Sequence, residues 1–157
     1  MDKKYSDFWN DLKTGKFASM VKETSSGQTV SSPIEVFNIM RPLYAESEDV
    51  ESLYSIFLNS KNKILAIEKM FSGSISGSAV YPREIIKKVL QIQATAVILV
   101  HNHPSGDPVP STEDKIITNK IQYILSCIDV RLHDHIIVGS SFFSMREAGL
   151  IERTMMI

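Results

Sequence analysis

Apolar positions recur along this chain with two different spacings. From Pro33 to about Tyr44 they fall at helical intervals, with Ile34, Phe37 and Met40 as a stripe and Pro at a favourable first helical position. Leu53 to Leu58 and Lys63 to Phe71 read as the two strands of a hairpin about the turn signal Asn59-Ser60-Lys61-Asn62. Ser72 to Ser78 holds two glycines and reads as a loop or a bulged continuation of the strand. Pro82 opens a second helix with Ile85, Ile86, Val89 and Leu90 on one face. Ala94 to Val100 is an unbroken aliphatic run, the pattern of a strand covered on both faces. A polar, Pro-rich loop runs from Asn102 to about Pro110. Ser111 or Thr112 then starts a third helix, with Ile117, Ile121, Ile124, Leu125 and Ile128 as its buried stripe. Leu132 to Val138 is a further strand, and Gly139-Ser140-Ser141 turns into a short one at Phe142-Phe143-Ser144. The sum is an α/β domain, a mixed β-sheet flanked by helices.

Residues 1–32 read as an N-terminal arm and linker, and 33–157 as the domain. Phe8, Trp9 and Leu12 share a helical face ahead of Gly15, which suits an arm packed on the domain or a homodimer contact. Thr24 to Ser32 reads as a linker or loop. The length of 157 residues allows one domain, and 43% apolar with 22% charged residues excludes a disordered chain. A net charge of -1 lacks the basic excess of a nucleic-acid-binding domain, so a nucleic-acid partner would need a local patch. The single cysteine, Cys127, excludes a disulfide scaffold and a multi-cysteine zinc knuckle. Within Ile124-Leu125-Ser126-Cys127-Ile128 it reads as a core residue. No apolar stretch resembles a signal peptide or is long enough to span a bilayer, so a cytoplasmic location with no membrane partner is expected.

The chemistry concentrates between His101 and Asp114. His101 ends a buried strand and His103 is two residues on, so in extended chain both imidazoles point to one side. Asp114 falls in the first turn of the third helix, three residues before Ile117 and seven before Ile121, which turns its carboxylate inward. An inward carboxylate is costly unless paired or bound to a cation. Two imidazoles and one carboxylate match catalytic zinc sites, which keep a fourth position open. Plainer roles exist for each: a hydrogen-bonded histidine at a strand end, and a helix cap formed by Ser111 and Asp114. Asp114 should serve as a cap or as a ligand, hardly as both at full strength. Glu68 is the candidate general base, because alternation puts it on the apolar face of Ile64, Ala66 and Met70; its plainer role is a solvated strand end. His133-Asp134-His135 is a second His-x-His without a third ligand at sensible spacing.

The stretch from His101 to Asp114, His-x-His-Pro followed by Ser-x-x-Asp, resembles the JAMM (MPN+) metalloprotease motif. His-Asn-His-Pro-Ser-Gly-Asp-Pro, with Phe71-Ser72-Gly73-Ser74, Tyr81-Pro82-Arg83-Glu84 and Asp134-His135-Ile136-Ile137-Val138-Gly139 in order, resembles the bacterial RadC-like branch over roughly residues 33–150. The His-Asn-His letters are unrelated to HNH nucleases, whose motif is dispersed over a ββα unit. The resemblance implies a JAB1/MPN, cytidine-deaminase-like fold. It implies Zn2+ held by His101, His103 and Asp114, with Glu68 as general base and Ser111 steadying the oxyanion. It implies hydrolysis of a peptide or isopeptide bond in an unidentified peptide or protein substrate. Asp134 and His135 belong to a family block and are expected to support the ligands from behind, while His133 is incidental. Longer RadC-like proteins carry an upstream helix-hairpin-helix region, which residues 1–32 do not resemble. The rival reading is a DNA-repair or mobile-element accessory protein that uses the site for binding or stability. A silent scaffold is the third, against which the intact ligand set speaks.

Overall fold

The computed structural model describes residues 10, 15–45, 49–73 and 82–152. Among these residues the elements run in the order α1 (Lys16–Ser25), α2 (Pro33–Tyr44), β1 (Ser52–Leu58), β2 (Ile64–Ser72), α3 (Pro82–Ile92), β3 (Ala96–Asn102), α4 (Thr112–Ser126), β4 (Arg131–Val138) and β5 (Phe142–Ser144). The strands form one mixed sheet in the order β2-β1-β3-β4-β5. β1 runs antiparallel to both β2 and β3, β3 and β4 are parallel across the α4 connection, and β5 returns antiparallel to β4.

β1 and β3 are buried along their whole length; β3 follows an unbroken apolar run, while β1 also buries Ser52 and Ser55 among its apolar residues. On one face Ile56, Ile98, Val100 and Ile136 pack against Val36, Phe37 and Met40 of α2. On the other, Phe57, Val97 and Leu99 pack against Ile85 and Val89 of α3 and Ile121 and Leu125 of α4. The result is the α/β sandwich of the JAB/MPN fold. Glu35 anchors the start of α2 by accepting the Ser31 N–H at 2.7 Å. The Tyr44 hydroxyl near its end lies 2.9 Å from the Val100 carbonyl and 3.3 Å from that of Ser52, tying α2 to β3 and β1.

Several expectations are corrected. Ile34 is half-exposed, and Val36, Leu43 and Tyr44 complete the α2 stripe with Phe37 and Met40. Leu90 and Ile128 are exposed, as is Cys127, which caps the end of α4 beyond its buried stripe. β2 does not alternate cleanly. Phe57 faces Ala66 while Leu58 faces Ile64, and this register shift turns Ile64 to the α2 side while Ala66 and Met70 pack on the other. The 24–32 stretch, read as a linker or loop, ends α1 and continues as a loop bonded to the domain: Thr29 bridges Lys63, and the N–H of buried Val30 donates to Asn62 at 2.9 Å. Phe8, Trp9, Leu12 and most of the 72–78 loop lie outside the described residues. No described helix is long and apolar enough to cross a membrane.

Candidate metal centre

β3 begins two residues later than the apolar run suggests, so His101 and Asn102 are its last two residues, inside the strand. His101 pairs in register with Leu53 of β1. Because the two strands are antiparallel, the chain entering β1 lies beside the end of β3, and this brings Glu51 to the histidines. The Asn102 amide clamps that entry from both sides of Glu51: its Oδ1 accepts the Ser52 N–H at 2.8 Å and its Nδ2 donates to the Val50 carbonyl at 3.0 Å.

After the strand, the His103 N–H donates to the Val138 carbonyl at 2.8 Å, which keeps the chain on β4 for one more residue. The loop then passes over Gly139. A Cβ at that position would lie 2.3 Å from the Gly106 carbonyl oxygen, so only glycine fits beneath the loop. Ser140 donates to the same oxygen from its N–H at 2.8 Å and its Oγ at 3.1 Å. The loop so held presents the Asp107 carbonyl 2.8 Å from His103 Nδ1.

Asp114 arrives on the first turn of α4 and is 1% exposed. Ser111 and Asp114 form a capping box. The Ser111 N–H donates to Asp114 Oδ2 at 2.8 Å, and Ser111 Oγ accepts the Asp114 N–H at 3.1 Å. The same carboxylate faces both imidazoles, with His103 Nε2 at 3.1 Å and His101 Nε2 at 3.3 Å. Capping and facing the histidines are therefore simultaneous, because two oxygens carry enough lone pairs for both.

His101, His103, Asp114 and Glu51 each offer a ligand atom, and these four atoms lie within 4.8 Å of one another. Glu51 Oε1 is 3.7 Å from His101 Nε2 and 4.0 Å from His103 Nε2. Glu68 is not part of this group. It sits opposite Ser55 in the middle of β2, one strand further from β3. Strand spacings put its Cα roughly 12 Å from that of His101. The acidic side chain beside the two histidines is thus Glu51. The sequence carries a faint sign of it, an acidic residue at the entrance to an apolar strand.

The donor set asks for a cation. His103 Nδ1 is committed to the Asp107 carbonyl, which leaves a lone pair on Nε2. That atom lies 2.9 Å from His101 Nε2, with two carboxylates around the pair. Acceptors so concentrated are stable only with a shared proton or a metal between them. Accordingly, the hydrogen bond to Asp114 raises the His103 pKa above the ordinary histidine value. Burial alone would push Asp114 up, but the two imidazoles facing its carboxylate and the Ser111 N–H hold it far below the carboxylate range.

Behind the converging imidazoles, His101 Nδ1 lies 2.6 Å from His135 Nε2, and His135 Nδ1 lies 2.6 Å from Thr118 Oγ1. Burial, with His101 alongside, drives the His135 pKa well below the usual value, so this ring is neutral near pH 7. Asp134 points to the other face of the sheet. It accepts from the Ser144 hydroxyl at 2.6 Å and from the His135 and Arg146 N–H groups at 2.7 and 3.0 Å. Burial raises its pKa against these bonds. His133 bonds Asn62 Oδ1 at 2.9 Å, away from the ligands.

The RadC-like JAB domain model matches residues 30–150. The chain is 39% identical over 132 residues to a UPF0758 protein of Thiobacillus denitrificans, covering 83% of this chain and 58% of that protein. It is 46% identical over 102 residues to the UPF0758 protein YfjY of Escherichia coli, 64% of each chain. It is 43% identical over 94 residues to a UPF0758 protein of Vibrio cholerae, 60% of each. The chain thus spans about three fifths of the length of these relatives, whose names state no activity. By sequence match, fold and the convergence of His101, His103 and Asp114, the chain belongs to the RadC-like JAB-domain family, a family of JAMM/MPN type.

Proposed function

We propose that this domain is a zinc-dependent hydrolase of JAMM type that cleaves a peptide or isopeptide bond in a protein substrate. The convergence of two imidazole Nε2 atoms and the Asp114 carboxylate, with a second carboxylate from Glu51 beside them, carries this reading. The donors suit zinc: two borderline nitrogens and one oxygen make the three-ligand set of catalytic sites. His101, His103 and Asp114 would hold the ion. Bound there, zinc supplies a Lewis acid that acidifies water towards neutral pH and polarises a carbonyl.

The remaining work falls to protein groups. Glu51, on the wet side with its side chain 19% exposed, takes the proton from the attacking water and returns it to the leaving nitrogen. This is the role the sequence suggested for Glu68. Ser111 is exposed, and its Oγ accepts the Asp114 N–H. Its hydroxyl proton is therefore free to point outward and donate to the oxyanion that forms on the substrate carbonyl. A cytoplasmic location suits the exposed, unpaired Cys127 thiol.

The test compares the wild type with Glu51→Gln and Glu68→Gln, reading zinc content by elemental mass spectrometry and hydrolysis over peptide and isopeptide-linked substrates. Glu51→Gln should keep the ion and lose hydrolysis by about a hundredfold or more, the scale of general-base catalysis. Glu68→Gln should match the wild type. Unimpaired hydrolysis by Glu51→Gln refutes the assignment, and a zinc-free wild type refutes the metal reading.

A further inference from the structure

We infer that Thr118 and His135 are positioning residues that decide which nitrogen of His101 carries the proton, and so keep its Nε2 free for a metal. All three side chains are wholly buried. They form one unbroken series of contacts. Thr118 Oγ1 is 2.6 Å from the Asp114 carbonyl and 2.6 Å from His135 Nδ1, and His135 Nε2 is 2.6 Å from His101 Nδ1. Among the described residues, the hydroxyl's other polar neighbour is Met145 Sδ at 3.6 Å, a weak acceptor.

Such a series has two polarities. In one, the Thr118 hydroxyl donates to the Asp114 carbonyl and accepts the His135 Nδ1–H. Neutral His135 then accepts the His101 Nδ1–H, and His101 Nε2 is left with a lone pair. In the other, every bond is reversed and His101 carries its proton on Nε2, where it would block coordination. The Thr118–Asp114 contact selects the first. Two oxygens at 2.6 Å attract only with a proton between them, and a carbonyl has none to give. The single hydroxyl proton is thereby committed, and the two rings follow in turn.

The arrangement closes on itself. Asp114 faces the histidines with its carboxylate and terminates the series with its own backbone carbonyl. One residue of α4 therefore orients a ligand of β3 through a histidine of β4. His103 needs no such relay, because the Asp107 carbonyl fixes its tautomer directly. Supporting hydrogen bonds of this kind tune both orientation and affinity of a metal-binding imidazole.

The test reads imidazole 15N shifts in the zinc-free wild type, and zinc affinity by chelator competition in the wild type, Thr118→Val and Thr118→Ser. We expect a protonated Nδ1 and a bare Nε2 on both His101 and His135 in the wild type. Thr118→Val, which keeps the volume and removes the hydroxyl, should lose that pattern and bind zinc about 10–100-fold more weakly. Thr118→Ser, which restores the donor, should recover the wild-type pattern and affinity. A proton on His135 Nε2 in the wild type overturns the inference, as does wild-type zinc affinity in Thr118→Val. If the valine variant fails to fold, the wild-type shifts decide alone. The consequence for affinity rests on the metal centre proposed above. A wild type that takes up no zinc would refute that centre, while the nitrogen shifts would still decide the polarity.

Discussion

Gly139 lies beneath the Gly106 carbonyl, and an alanine there forces a definite displacement. The added Cβ would meet the carbonyl oxygen at 2.3 Å, where ordinary contact begins at 3.4 Å, so one partner must move by about 1.1 Å. The strand side is pinned by the β4–β5 pairing, so the loop gives way. Its two bonds from Ser140 to Gly106, at 2.8 and 3.1 Å, then stretch beyond hydrogen-bonding range. At about 1 kcal/mol each, their loss costs about 2 kcal/mol. For a domain of this size that lowers Tm by about 4–8 °C. The same movement withdraws the Asp107 carbonyl from His103, which should weaken zinc binding by at least about tenfold. Calorimetry of Gly139→Ala in chelator reads the first effect, and competition against a zinc indicator reads the second. A Tm and an affinity indistinguishable from wild type would mean that the loop does not depend on this contact.

Other outcomes follow from the same geometry. Asn102→Ala removes both bonds that straddle Glu51; it should retain zinc yet lose hydrolysis by about tenfold or more, because the proposed acid–base group is no longer held. Equal loss of zinc would instead make the amide a support of the ligands. His103 gains a proton more easily in the metal-free fold than in the unfolded chain. Its stabilising contribution is thus complete below the unfolded value of about 6.5 and is lost as pH rises through the raised folded value. In chelator, the Tm gap between wild type and His103→Gln should accordingly narrow from pH 6 to pH 9, while zinc affinity of the wild type falls as pH drops. A gap that widens with pH would refute the Asp114 pairing. Leu99→Ala, at a fully buried position of β3, should cost about 3 kcal/mol in denaturant titration, and a loss below about 1 kcal/mol would contradict the packing around it.

What the sequence disclosed about the site followed chain distance. His101, His103 and Asp114 are close enough for strand and helix periodicity to aim them, and the structure brings all three together. Glu51 reaches them only through the antiparallel pairing of β1 with β3, a contact between distant segments that no local pattern announces. Glu68 drew attention by alternation, which holds from Ala66 to Lys69, but its strand lies one place too far out and it faces Ser55, two residues along β1 from the Leu53 that pairs with His101. Thr118 gave no signal, since a threonine inside an apolar helical stripe reads as a gap until its partners are seen. The architecture was more legible: the unbroken aliphatic run of β3 demands cover on both faces, and helices cover both. Cys127 went the other way, because the end of a helix turns a residue outward whatever the letters beside it.

Three of the converging groups, His101, His103 and Asp114, lie within a short stretch of chain that contains two prolines after Pro104, while Glu51 comes from far away. A denatured chain therefore keeps those three near one another, and it can chelate zinc before the sheet exists. Binding to the unfolded ensemble subtracts from the stability that the ion lends the native one. Saturating zinc should consequently raise Tm by less than its native affinity implies, and the shortfall measures how well the stretch from 101 to 114 chelates by itself.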